Sequence, residues 1–197
     1  MKSVNKINQE FNLIPMRKRM FDALWYHNAH NFAKAIAKHH KISLAKVAGV
    51  ISALSPGNEW ENNKQEAHRL IQIYLTDKRY DVIKFRTYGN NVAKAIQILE
   101  LSDSEFDLVR KIGDILLGKA GYKTQNFYYN ILNPSDDLPV TIDRHMLKFL
   151  GEKSVKSRLH YGLMAKRIRK AANKIGLVPS ELQAVLWEEQ IRRNKEK

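Results

Sequence analysis

The chain reads as an all-α protein, and three observations give that class. Apolar residues recur three and four positions apart along most of the chain, which is the period of a helix face. No segment alternates apolar and polar residues well enough to make a strand. Capping and chain-breaking residues cut the pattern into about ten pieces of helical length, with no internal repeat.

The elements follow in order. Met1 to Pro15 is polar and unpatterned, so residues 1–15 are expected to form a flexible or loosely docked arm. Met16 to His40 reads as one long helix with Met20, Leu24, Phe32, Ala33 and Ile36 inward. Ser43 is placed to cap a helix carrying Leu44, Val47, Ala48, Ile51 and Leu54. That helix is apolar nearly all round and so should be buried on most sides. Ser55-Pro56-Gly57-Asn58 is a turn. Glu61 to Thr76 is a helix with Ala67, Leu70, Ile71, Tyr74 and Leu75 on one face. Asp77 to Thr87 is ambiguous between a short helix and a loop.

Tyr88 to Glu100 is helical, with Val92, Ile96 and Leu99 inward. Ser102-Asp103-Ser104-Glu105 gives a capping-box signal ahead of Leu108, Val109, Ile112, Ile115 and Leu116. Gly118 and Gly121 then interrupt the apolar run, so the backbone can turn tightly and approach another backbone or a phosphate. A helix restarts near Tyr122, with Phe127, Tyr128, Ile131 and Leu132 at helical spacing. Asn133-Pro134-Ser135-Asp136-Asp137 breaks it. Val140 and Ile142 re-enter the core, and Asp143 stands where a new helix begins. Arg158 to Ile175 is amphipathic, with Lys166, Arg167, Arg169, Lys170 and Lys174 on its polar face. Pro179-Ser180-Glu181 starts the last helix. The main domain is read as residues 16–192, and residues 193–197 as a basic tail.

Composition narrows the function. At 197 residues the chain is one domain, or two lobes, with enough length for a real core. The formal charge of +14 points to a polyanionic partner, nucleic acid first and an anionic membrane a distant third, or else to a solvated basic surface. From Arg144 to Lys197 there are fourteen Lys and Arg against five Asp and Glu, so much of the surplus lies there. The chain has no cysteine, which excludes disulfides, thiolate zinc sites, cysteine nucleophiles and iron–sulfur clusters. His27, His30, His39 and His40 have no acidic ligand among them and fit no zinc spacing, so no metal and no cofactor are expected. The start of the chain lacks a signal-peptide core, and no apolar run is long enough to span a bilayer. The expectation is a soluble, intracellular protein without a membrane or an obligate protein partner, in the cytoplasm or nucleoid, or the nucleus of a eukaryote.

The stretch Leu117 to Gly121, the pair Lys123-Thr124 and the segment Ile142-Asp143-Arg144-His145 resemble the helix-hairpin-helix DNA glycosylase superfamily, the endonuclease III-like group. The spacing of Lys123 and Asp143 is close to that family's. Ile51 to Ser55 with Asn63-Lys64 resembles the family's early helix and the start of the next. Lys119 stands at one of the family's hairpin glycine positions, and the absence of cysteine points to a cysteine-free branch.

What the resemblance implies is a pair of helical lobes around a DNA-binding cleft, with a helix-hairpin-helix motif. The partner is double-stranded DNA, from which a damaged or modified base is flipped and excised. Lys123 is then the candidate nucleophile that forms a Schiff base, and Asp143 the carboxylate that stabilises charge on the sugar. Gly118, Lys119, Gly121 and Thr124 are expected on the phosphate backbone. Asn58 and Trp60 are candidates for the loop that enters the duplex, Tyr122 and Tyr128 for the base pocket, and Lys166, Arg167 and Lys170 for phosphate contacts. Two other readings stay open. One is a non-enzymatic DNA-binding protein in which Lys123 meets phosphate and Asp143 is a cap. The other is a metal-dependent nuclease using Glu59, Glu61, Asp143 and His145.

Overall fold

The computed structural model describes residues 1–76, 84–102, 104–118 and 121–196. Every regular element among them is an α-helix. They are α1 (Val4–Leu13), α2 (Met16–Ala23), α3 (Trp25–His40), α4 (Leu44–Leu54), α5 (Trp60–Thr76) and α6 (Gly89–Glu100). There follow α7 (Glu105–Leu117), α8 (Tyr122–Leu132), α9 (Arg144–Leu150), α10 (Arg158–Lys174) and α11 (Pro179–Lys195). No helix among the described residues is long and apolar enough to cross a membrane. The ambiguous stretch after Thr76 lies outside the described residues up to position 83.

The chain divides into two compact units, a terminal one of Met1–Ala29 with Asn133–Lys197 and a central one of His30–Leu132. The division falls within α3.

In the central unit α4 is the hub, packed by α5, α6, α7 and α8. Its nearly continuous apolar sequence predicts this, and Val47 to Leu54 are all buried. Ser43 caps it by accepting from Ala45 N–H at 3.1 Å. Gly49 lets α6 and α7 come close, because a Cβ there would press on the methyls of Ile112 and Ile98. α7 starts after Ser104, but its hydroxyl donates to the Asp107 carboxylate at 3.3 Å instead of capping the backbone.

In the terminal unit α11 is the hub, against α1, α2, α9 and α10. Its start follows the sequence: Pro179 opens the helix and Glu181 accepts from Val178 N–H at 3.0 Å.

Three expectations change here. Residues 1–15 are not a loose arm, because α1 buries Ile7, Phe11 and Ile14 and packs on α10. Polar residues between these positions hid the stripe: Glu10 lies at the interface, where Lys2 and Arg193 pair with it at 2.8 and 3.2 Å. Met16–His40 is two helices, broken at Leu24, and Met20 and Leu24 are exposed instead of inward. Residues 193–195 of the basic tail belong to the last turn of α11, where Arg193 also reaches Glu189 at 3.0 Å.

Candidate functional site

The central unit carries the glycine turn and Lys123. α7 and α8 can lie close because Gly113 has no side chain: a Cβ there would overlap the Tyr129 hydroxyl. Gln125 Nε2 also donates to the Gly113 carbonyl at 3.1 Å. The chain leaves α7 at Gly118, with φ +46° and ψ −131°, a conformation that only glycine adopts without strain. Gly121 is required for a different reason. A Cβ there would overlap the carbonyl oxygens of Leu116 and Leu117. These contacts correct one expectation. The Gly118 N–H donates to Asp114 O and the Gly121 N–H to Leu117 O, so neither points at a ligand. Lys119 lies outside the described residues. The cation beside the turn belongs to α6: Lys94 Nζ is 3.3 Å from where a Gly118 Cβ would stand.

Lys123 sits in the first turn of α8, half-buried. Its Nζ donates to Ser55 Oγ at 3.3 Å and lies 5.5 Å from the Phe127 ring centre, one turn on. The Ser55 hydroxyl itself donates a hydrogen bond to the Ser52 carbonyl at 3.0 Å. The turn after Ser55 is held on both sides. Thr87 Oγ1 donates to Pro56 O at 2.9 Å and Asn91 Nδ2 donates to Thr87 at 2.8 Å.

Asn58 is part of this frame, since its amide donates to Glu66 at 2.7 Å and to Leu54 O at 3.4 Å. It braces the loop and is not free to enter a duplex. Trp60 packs edge-on to Phe32 at 6.2 Å, with the Lys64 ammonium 5.7 Å from its centre. The exposed ring at the loop is Tyr88, close to Gly57. Its place at the start of α6 gave no sequence signal. Tyr128 is fully buried against Tyr129 and belongs to the core, so it lines no open pocket. Tyr122 and Thr124 are half-buried in the first turn of α8.

The terminal unit carries Asp143. The segment Val140–Ile142 is buried, and the Tyr161 hydroxyl clamps it by donating to Val140 O at 2.8 Å and accepting from Ile142 N–H at 3.0 Å. This clamp delivers Asp143 to the N-cap of α9. Its Oδ1 accepts from His145 and Met146 N–H, each at 2.9 Å, and its Oδ2 accepts from Trp187 Nε1 at 2.8 Å. Three donors on one carboxylate fix its orientation.

Trp187 is flanked by Trp25 at 5.6 Å and by His145 at 6.2 Å, both edge-to-face. Burial lowers the His145 pKa; Asp143 opposes this, while Arg144 and Lys148 add to the lowering. Asn194 Nδ2 and Arg144 Nε approach the two ring nitrogens at 3.1 and 3.2 Å, and a neutral imidazole accepts from one of these two donors. Trp187 as the partner of Asp143 could not be read from spacing, because the two lie 44 positions apart.

The basic face of α10 is divided. Arg167 donates to the carbonyls of Met1 and Lys2 at 3.1 and 2.8 Å, Arg169 to Leu138 O at 2.8 Å, and Lys174 to Asn5 at 2.9 Å. Arg167 therefore fastens α1 instead of projecting toward a ligand. Lys166 and Lys170 are exposed, one turn apart. No group of three or more His, Cys, Asp or Glu among the described residues is arranged to hold a metal ion.

Residues 2–195 match the model of a family of unknown function, DUF7178, and the chain belongs to that family. No curated protein and no solved structure matches it.

Proposed function

We propose that this family member is a DNA glycosylase with lyase activity that excises a damaged or modified base from duplex DNA. The observation that carries the reading is one primary amine in an unusual setting. Lys123 follows a glycine turn directly, and its Nζ is hydrogen-bonded to Ser55 beside a braced loop. In the terminal unit, Asp143 is a carboxylate with a fixed orientation and an aromatic flank. The net charge of +14 suits a DNA partner.

The chemistry follows from these groups. The target nucleotide leaves the stack, since its glycosidic bond is unreachable inside the duplex. As that bond breaks, positive charge develops on the sugar, the kind of charge that a fixed carboxylate such as Asp143 stabilises. The unprotonated Lys123 amine bonds to C1′ while the base leaves with the electron pair and takes up a proton. Opening of the sugar ring gives an imine between Nζ and C1′. Removal of a C2′ proton then expels the 3′ phosphate and cuts the strand. In this scheme the phosphates beside the turn meet the N-terminal end of α8 and Lys94, and Tyr88 takes the role first given to Asn58.

A second reading is favoured by Asp143 itself. All three of its hydrogen bonds are also what a purely structural cap would make, and in that case the protein binds DNA without turnover. Borohydride trapping separates the two. Wild type, Lys123→Ala and Asp143→Asn are incubated with an abasic duplex and a panel of modified-base duplexes. The glycosylase reading expects a covalent adduct that disappears in Lys123→Ala. An adduct that persists in Lys123→Ala refutes the lysine assignment. Tight, salt-sensitive binding without adduct or base release across the panel supports the binding protein.

A further inference from the structure

The terminal unit contains a cavity that none of the groups above uses. It is a wide depression open to solvent, measures about 1030 Å³ and lies where α2 faces α11. Its apolar lining is Met16, Met20, Phe21 and Leu24. These side chains are unusually open for their kind: Phe21 is 75% exposed and Met20 65%. Burying side chains of this size is strongly favourable, so a contiguous group left in water on a two-turn helix marks a surface that something covers.

The polar lining restricts what that something is. Asp22 is neutralised by Arg192, whose Nη2 lies 2.7 Å from it. Glu188 is left as the carboxyl in the wall, and burial followed by the nearby Asp22 charge raises its pKa. Arg17 and Lys18 also line the cavity, and both are exposed. A concave site with apolar walls, one hydrogen-bonding group and cations at its edge fits a flat heteroaromatic ring attached to an anion.

The cavity is also tied to Asp143 through the chain. Leu24 and Glu188 line it, and the next residue after Leu24 and the one before Glu188 are Trp25 and Trp187. Those two rings are in edge contact, and Trp187 holds Asp143.

We propose that the α2–α11 cavity binds an unpaired nucleotide of a DNA strand, with Phe21 and Met20 against the base, Glu188 at its polar edge, and Arg17 and Lys18 on the adjoining phosphates. The choice of DNA as the ligand rests on the functional reading above, but the binding needs no turnover.

The test compares a perfectly paired duplex with the same duplex carrying one bulged nucleotide, by fluorescence anisotropy on the full chain. Phosphatidylcholine–phosphatidylserine vesicles and a size-exclusion run accompany it. Wild type should prefer the bulged duplex. Phe21→Ala, at an exposed position, should weaken bulged binding about tenfold and change paired binding by less than about twofold. Arg17→Ala/Lys18→Ala should weaken both and lower the slope of log affinity against log salt by about two.

Equal loss on both duplexes in Phe21→Ala, or no preference for the bulge in wild type, overturns the proposal. So does a Phe21→Ala effect confined to vesicle binding, or one confined to self-association. Loss of trapping in Lys123→Ala with bulge preference intact leaves the cavity standing. Failure of all trapping with bulge preference intact removes the enzyme reading alone.

Discussion

Replacing Asp143 separates its structural from its chemical role, because its two oxygens do different work. Oδ1 caps α9 through His145 and Met146 N–H, and Oδ2 holds Trp187. Asp143→Ala removes both. Loss of the cap costs about 1 kcal/mol, and leaving the half-buried Trp187 N–H without its charged partner costs about 1 kcal/mol more. The total is about 2 kcal/mol in urea denaturation.

Asp143→Asn differs in one respect. Its carbonyl oxygen can still cap α9, but its NH₂ then faces the indole N–H, donor against donor. Its loss should be near 1 kcal/mol. Adding Trp187→Phe removes the facing donor while keeping an aromatic ring. The double variant should therefore lose less than the sum of the single ones, with a coupling of about 1 kcal/mol. Strict additivity, or an Asp143→Ala protein as stable as wild type, would refute this account. If wild type releases base and Asp143→Asn stays folded and binds DNA yet releases none, the carboxylate charge itself carries the chemistry.

Other outcomes follow from single contacts. Gly121→Ala must push a Cβ into two backbone carbonyls, which cannot swing aside, so it should cost about 2 kcal/mol. Gly57→Ala, with φ +75° but only Tyr88 near its Cβ position, should cost about 1 kcal/mol, and urea denaturation of both gives the ranking. Ile7→Ala should destabilise by about 3 kcal/mol, where a loose arm would show no effect. The lowered His145 pKa means that the unfolded chain takes up this proton first. Stability is therefore lost as pH falls through the ordinary histidine range toward the folded value. His145→Gln should flatten that part of the pH–stability profile between pH 7 and 5, and an unchanged slope would count against it.

The helices were legible wherever an apolar stripe ran unbroken. α4 could be read as buried because almost nothing polar interrupts Val47 to Leu54, and Asp143 as a cap because Val140 and Ile142 lead into it. α1 could not be read, since its stripe is mixed with Asn8 and Glu10, and what makes Glu10 tolerable inside is Lys2 together with Arg193, 183 positions away. The break at Leu24 was equally hidden. Helical spacing continues through it, and only the exposed Met20, Phe21 and Leu24 show that the two helices bury different faces.

The same limit governs the charges, which carried most of the functional reading. A count of +14 treats every cation as available to a polyanion. Yet Arg167, Arg169 and Lys174 are tied to backbone or amide oxygens, and Arg192 and Arg193 to carboxylates. These cations fasten α1, α2, the start of the chain and the segment at Leu138 to the hub helix and its neighbour, and would have to abandon those contacts to reach a phosphate. Arg17, Lys18, Lys166 and Lys170 are exposed, in two short groups on α2 and α10. A DNA partner reached through such groups would release far fewer counterions than the net charge suggests. Sequence supplies the capacity for binding an anion, whereas the position of the binding surface depends on which cations the fold leaves uncommitted.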